Sequence, residues 1–307
     1  MNFPVCWELS IIYFTTNYIS HLIIFNALLV KMWNKDNNQQ VTNDRFFLID
    51  KQDKSHLVET SETTRKVLNN NNNKFNQWLA GLIDGDGYFH VTKDKYLSCE
   101  ILVELRDERA LRQIQNKFGG SIKLRSGVKA IRYRLHNKLG IINLVNAVNG
   151  NIRNTKRLVQ FNKVCNLLNI PVINPFILTK DNAWFSGFFD ADGTINYSFK
   201  NKVPQLTISV TNKYYQDIEY YKNILNMGNI YFDKGQNGYF KWSIQSKNDI
   251  INYINNYNKL YPSKTIKQKR LLLVKEYYYL INLKAYNQPL NSLLYKSWLN
   301  FKNKWEY

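Results

Sequence analysis

Two short acidic clusters carry the chemistry open to this sequence. Asp84 and Asp86 stand two positions apart in "WLAGLIDGDGYF", residues 78–89, and Asp190 and Asp192 repeat that spacing in "WFSGFFDADGTI", residues 184–195. Each pair closes an apolar run compatible with a helix, and glycines loosen the chain beside it. Gly81 and Gly85 lie four apart, on one helix face, and in the second copy the pair is Gly187 and Ala191. Small residues at that spacing let two helix backbones approach closely, a geometry best attested in membrane helices. Packed together, the two copies would bring their carboxylate ends side by side. Acids held that way repel one another unless a divalent cation lies between or beside them. Hard oxygen ligands suit Mg²⁺ or another divalent cation, which accepts a few carboxylates and keeps waters and phosphate oxygens. The chemistry expected is metal-dependent hydrolysis of a phosphodiester.

For a single acidic cluster, a helix ending at a turn is the simpler reading. Here Asp86 and Asp192 are 106 positions apart, and so are Gly81 and Gly187. A fixed offset between long, similar segments implies pseudo-twofold symmetry within one chain. Charge follows the same division. The chain carries 42 basic and 23 acidic residues, a net +19. Of this only +1 falls in 1–74, while 75–182 and 183–307 each hold 17 basic and 8 acidic residues, or +9. Solubility alone rarely needs so much charge of one sign, so the surplus points to a polyanionic partner such as nucleic acid or an anionic membrane surface.

Other chemistries find little support. Cys6, Cys99 and Cys165 are odd in number and widely spaced, against both a disulfide framework and a structural zinc site. The four histidines show no ligand-like spacing. The abundance of Asn, Lys, Ile, Tyr and Phe, with five asparagines in a row at 69–73, suggests an AT-rich genome and says nothing of mechanism.

The elements that must position the acids follow from periodicity. In "SIKLR" Lys123 and Arg125 share one face and Ile122 and Leu124 the other; in "IRYRLH" the polar face is Arg132, Arg134 and His136. In the second half Gln205, Thr207, Ser209 and Thr211 oppose Leu206, Ile208 and Val210, and Tyr239, Lys241, Ser243 and Gln245 oppose Phe240, Trp242 and Ile244. These read as half-buried strands. Helical segments such as 107–118 and 214–226 follow, so both halves run helix, two strands, helix, two strands, helix. The division expected is an extension 1–74, a first repeat 75–170, a linker 171–182 and a second repeat 183–307, with "IPVINPF" at 170–176 as the break. Within the extension, 9–30 is 22 residues without a formal charge, long enough to span a bilayer but weakened by Thr15, Thr16, Asn17, His21 and Asn26. The rest of the extension reads as a polar, Asn-rich linker.

"LAGLIDGDG", 79–87, is one substitution from the signature that names the LAGLIDADG homing endonucleases, and "FSGFFDADG", 185–193, keeps Gly187, Asp190, Asp192 and Gly193. Over 75–307 the chain resembles a two-repeat, group I intron-encoded member of that family. The resemblance implies an α+β fold of two pseudo-symmetric αββαββα repeats, with saddle-shaped antiparallel sheets lying in the DNA major groove and a central pair of motif helices. It implies that Asp86 and Asp192 bind the divalent metal, while Asp84 and Asp190 are structural. The polar strand faces would then read bases, placing Lys123, Arg125, Arg132, Arg134, Gln205, Thr207, Ser209, Lys241, Ser243 and Gln245 on DNA. The family also places a basic residue near the start of each repeat's last helix. Lys267 fits in the second repeat, with Lys269 as competitor, and Arg153 in the first, with Lys156 as competitor. A polar strand-end residue near the metal-bound water is met by Asn212; Leu105 stands near that place in the first half.

The resemblance implies a homing endonuclease acting as a monomer on double-stranded DNA. Its rival is a maturase that binds the group I intron RNA encoding it and assists splicing, alone or in addition. A catalytically silent DNA-binding regulator would not need both Asp86 and Asp192. Anchoring through 9–30 could accompany any of these roles. Composition and family together point to a mitochondrial origin.

Overall fold

The computed structural model describes residues 73–235 and 238–306; the apolar segment 9–30 lies outside the described residues. None of the described helices is long and apolar enough to cross a membrane.

The first half begins with helix α1 (73–86), which carries the first motif. Strands β1 (Gly87–Val91) and β2 (Leu97–Glu104) follow, then α2 (Glu108–Phe118), β3 (Ser121–Leu124), β4 (Ala130–Leu135), α3 (Lys138–Val148) and α4 (Thr155–Leu168). The second half repeats the order with α5 (Trp184–Asp192), β5 (Gly193–Lys200), β6 (Val203–Asn212), α6 (Gln216–Leu225), β7 (Asn229–Asp233) and β8 (Tyr239–Ile244). It closes with α7 (Lys247–Asn252), a π-helical turn Tyr253–Asn258, and helices α8 (Lys267–Leu272), α9 (Val274–Asn282) and α10 (Leu293–Glu306). Residues 170–179, where the prolines fall, form no helix or strand.

Each half folds its strands into one antiparallel sheet, ordered β1-β2-β4-β3 and β5-β6-β8-β7. The registers match as well as the order. Gly87 faces Ile101, which faces Tyr133; Gly193 faces Val210, which faces Trp242. Ile101 and Val210 are therefore equivalent positions, as are Tyr133 and Trp242. This is the α+β, two-repeat architecture expected from the motif resemblance.

Two-residue alternation sets the faces. In β4 Ile131, Tyr133 and Leu135 are buried while Arg132 and Arg134 are exposed. Leu124 breaks the pattern at 73% exposure, because it ends the short edge strand β3, where nothing packs over it. The two cores differ in kind. The first is aliphatic around Leu111, Ile114, Ile141, Leu144 and Val145. The second is aromatic: Phe185 of α5 lies 5.2 Å from Tyr221 and 5.6 Å from Trp242 between ring centroids. The second motif holds phenylalanines where the first holds Leu and Ile because this core is built of rings. The closing helix of the second half is longer and more broken than periodicity predicts. Its α10 packs Trp298, Phe301 and Trp305 around Tyr197 of β5.

Candidate active site and nucleic-acid face

The two motif helices cross at their glycines. A Cβ at Gly81 would stand 2.0 Å from the Trp184 carbonyl oxygen, and one at Gly187 would stand 1.8 Å from the Trp78 carbonyl oxygen. No side chain fits either place, so backbone meets backbone. At the far end of the crossing a Cβ on Gly85 would meet the Ala191 Cβ at 2.3 Å and an Asp192 carboxylate oxygen at 3.1 Å. The small residues thus bring the acidic ends of both helices together.

The first acid of each motif is engaged in structure, and each reaches into the opposite repeat. Trp184 donates its indole N–H to Asp84 at 2.8 Å, and Trp78 donates to Asp190 at 2.8 Å. Each acid also caps the start of its own repeat's last helical segment. Asp84 accepts from the Arg153 backbone N–H at 2.9 Å; Asp190 accepts from the Lys264 N–H at 2.8 Å, from Thr265 Oγ1 at 2.8 Å and from the Ser263 hydroxyl. Burial pushes the Asp84 carboxyl up to about 7, against those hydrogen bonds, and its second oxygen has no partner among the described residues.

The second acid of each motif is placed differently. Among the described residues no donor hydrogen-bonds to Asp86 or Asp192. Burial, and then repulsion by Asp192, push the Asp86 carboxyl up to about 7. Asp192, the more exposed of the two, is also raised by burial. Lys267 and Arg157 oppose both shifts by their charge. Lys267 Nζ donates to the carbonyls of Phe189 at 2.9 Å, Asp190 at 2.6 Å and Ala191 at 2.9 Å, which uses its three hydrogens on the C-terminal end of α5. Arg157 does the same for α1, donating to the Gly85 carbonyl at 3.0 Å. Cations belong at helix C-termini, where the unpaired carbonyls concentrate negative potential.

Arg157 corrects the sequence expectation, which took Arg153 for this place. The Arg153 guanidinium instead lies over the Trp184 ring at 5.0 Å and donates to the Phe176 carbonyl at 3.2 Å. Its counterpart is Lys264, whose ammonium lies over Trp78 at 5.4 Å. Arg157 lies in the first turn of α4 and Lys267 opens α8, whereas Arg153 and Lys264 precede those helices. The competitors Lys156 and Lys269 are exposed. A second correction concerns the first-half counterpart of Asn212. Register makes its equivalent Val103, which is buried, and Leu105 lies beyond the strand in a 3₁₀ turn.

Two buried acids went unnoticed in the sequence. Asp107 accepts from the Ile266 N–H at 2.6 Å, and Asp217 accepts from Thr155 Oγ1 at 2.7 Å and the Thr155 N–H at 3.1 Å. Each belongs to one repeat and caps the last helical segment of the other. In sequence they resemble any acid in a helix's first turn. The one available signal was their near-equal distance from the motifs.

The polar strand faces adjoin the acids. Asp86 shares an open depression of ≈ 290 Å³ with Tyr88, Glu100, Leu102, Arg125 and Arg132. A second groove of ≈ 350 Å³ beside it is lined by Lys123, Arg132, Arg134, His90 and His136, among others. In the second sheet Gln205 donates to Gln245 at 3.4 Å across the face, and Thr207 and Lys241 are partly exposed. Ser209 and Ser243 pair in register on this face, but they are only 5% and 4% exposed.

Residues 79–168 and 185–278 match the family described as LAGLIDADG endonuclease. The chain is 55% identical over 336 aligned positions to an intron-encoded RNA maturase, bI4, of Saccharomyces cerevisiae, covering 99% of this chain and 52% of that protein. It is 33% identical over 241 positions to an intron-encoded DNA endonuclease, ai2a, of Dictyostelium discoideum, covering 76% and 75%. This chain therefore spans about half the length of the yeast relative. Among solved structures, the I-LtrWI LAGLIDADG homing endonuclease bound to target DNA superposes with a TM-score of 0.58 at 19% identity, over 76% of this chain and 98% of that one.

Proposed function

The chain belongs to the LAGLIDADG endonuclease family, and from that premise we propose that it is a site-specific, divalent-metal-dependent double-strand DNA endonuclease that promotes intron homing by hydrolysing phosphodiesters in a long recognition site. The observation that carries this reading is the pair Asp86 and Asp192, two carboxylates that no donor among the described residues reaches, at the meeting ends of crossed helices, one of them opening onto the depression that holds Arg125 and Arg132.

The donor set suits the cation. Among the described residues no group of three or more His, Cys, Asp or Glu side chains could hold a metal by itself. Two carboxylates are what Mg²⁺ or a similar hard cation takes when it keeps waters and substrate phosphate oxygens. Asp86 and Asp192 would hold it, and when bound it supplies positive charge to the phosphate and an acidified water. Lys267 and Arg157 fix the helix ends that present the two acids and offset their repulsion. The sheet faces bind and orient the duplex, Lys123 and the arginines in the first repeat, Gln205, Thr207, Lys241 and Gln245 in the second. Both motifs lie in one chain, so one copy supplies a site for each strand.

The test is a cleavage assay with the full chain and Mg²⁺ on intron-free DNA of the source genome, with ends mapped by sequencing. One discrete double-strand break, absent in the D86N/D192N double variant, is expected. Intact DNA with folded protein would refute the nuclease reading. A second reading, an RNA maturase for its own group I intron, draws support from the yeast relative that bears that description. Binding of the intron RNA and faster splicing in its presence would establish it, alone or beside cleavage. The two-repeat division at 171–182 and a mitochondrial location complete the proposal.

A further inference from the structure

Arginine is unevenly shared between the repeats. Residues 75–170 contain eight arginines and 171–307 contain one, Arg270. That guanidinium donates to the carbonyls of Trp305 at 3.0 Å and Ile195 at 3.2 Å. The two halves nonetheless carry equal net charge, because lysines make up the difference in the second.

Register shows what this does to the two faces. Tyr133 and Trp242 are equivalent, so Arg132 corresponds to Lys241 and Arg134 to Ser243. Glu100, which faces Arg134, corresponds to Ser209, which faces Ser243. In the first sheet Glu100 lies 3.0 Å from Arg134 and 3.4 Å from Arg132, and both arginines remain about half exposed, at 49% and 47%. An acid paired with one nitrogen of each guanidinium fixes the direction of both side chains before any ligand arrives, so less freedom is lost on binding. Among the described residues the second face has no guanidinium. It presents the amides of Gln205 and Gln245 and the hydroxyl and methyl of Thr207.

The two chemistries suit different bases. A guanidinium fork matches O6 and N7 of guanine, whereas an amide matches N6 and N7 of adenine and a methyl group packs on the methyl of thymine. Lysine is a point charge and lacks the fork. We infer that the DNA target is read unequally, with a guanine-bearing half-site under the first sheet, recognised by Arg132 and Arg134, and an A·T half-site under the second, recognised by Gln205, Gln245 and Thr207. This rests on the DNA-binding reading above and adds the base composition and orientation of the site.

The experiment is selection of bound duplexes from a randomised library by the full chain without Mg²⁺, followed by sequencing. One consensus is expected, with guanines concentrated in one half and A·T pairs in the other. The R132A/R134A variant should lose the guanine preference by roughly 5- to 100-fold per position and keep the preference in the other half. Arg132→Lys, which keeps charge and loses the fork, should relax the same guanine while holding most of the affinity. Guanines shared equally by both halves would overturn this inference alone, as would a double variant that alters the A·T half instead. Enrichment of no duplex would overturn the DNA-binding reading together with it.

Discussion

Within each motif two aspartates of identical chemistry are held in opposite circumstances. Asp84 and Asp190 each accept hydrogen bonds from both repeats, while Asp86 and Asp192 receive none from the described residues. Burial pushes the carboxyls of both Asp84 and Asp86 up to about 7, against an ordinary 3.8, and for Asp86 the charge of Asp192 adds to it. A folded state that binds the proton more tightly than the unfolded one loses stability as pH rises between those two values. In metal-free buffer Asp86→Asn should therefore raise stability at pH 8, by on the order of 2 kcal/mol, and change it little near pH 4. Thermal melts at both pH values check this, and Mg²⁺ should raise the Tm of the parent chain at pH 8 but not that of the variant. Equal melting of the two proteins at pH 8 would mean that the Asp86 charge is already compensated. Arg157→Gln should lower cleavage about 10- to 100-fold by loosening the α1 end beside Asp86, whereas the exposed Lys156→Gln should leave it within about twofold. Single-turnover rates on one cognate duplex separate these outcomes. Arg157 was not legible in "NIRNTKRLV", because three cations lie within five residues there and only the direction of the helix decides which one meets the acid.

At the scale of the element, the crossing of α1 and α5 is the most constrained contact. Gly81→Ala or Gly187→Ala would drive a methyl group into a backbone carbonyl, which has no rotamer with which to yield. Each substitution should cost about 3 kcal/mol or more. Gly127→Ala meets nothing within 4 Å and suffers only from its φ of +77°, a cost of about 1 kcal/mol. Urea melts of the three variants would rank them; a Gly81→Ala protein as stable as the parent would mean that the helices can separate without loss. The strand faces were readable beforehand, because a period of two fixes which side chains share a side. The strand ends were not. Leu124 and Leu105 escape burial since only neighbouring elements, and not periodicity, say where cover stops.

At the scale of the whole molecule, the repeats are tied by exchanged contacts. Trp78 reaches Asp190 and Trp184 reaches Asp84; Asp107 caps the second repeat's closing segment and Asp217 caps the first's. The equal +9 on the two halves should make nucleic-acid affinity fall steeply with salt. A footprint of about 6 to 10 phosphates predicts a loss of roughly a thousandfold or more between about 50 and 200 mM salt, and a titration of duplex affinity against salt tests it; a flat response would remove the electrostatic argument. The sequence by itself determined the repeat, the acidic pairs, the sheet faces and the charge, since each depends on spacing or composition along the chain. Tertiary structure alone decided that the Arg157 charge bears on Asp86 and Asp192 while the Arg153 guanidinium lies over Trp184, that Val103 holds in the first sheet the place Asn212 holds in the second, and that Asp107 and Asp217 bind the repeats together. Those outcomes depend on contacts between residues some 60 to 160 positions apart, and no local pattern records which distant donor will arrive at a given carboxylate.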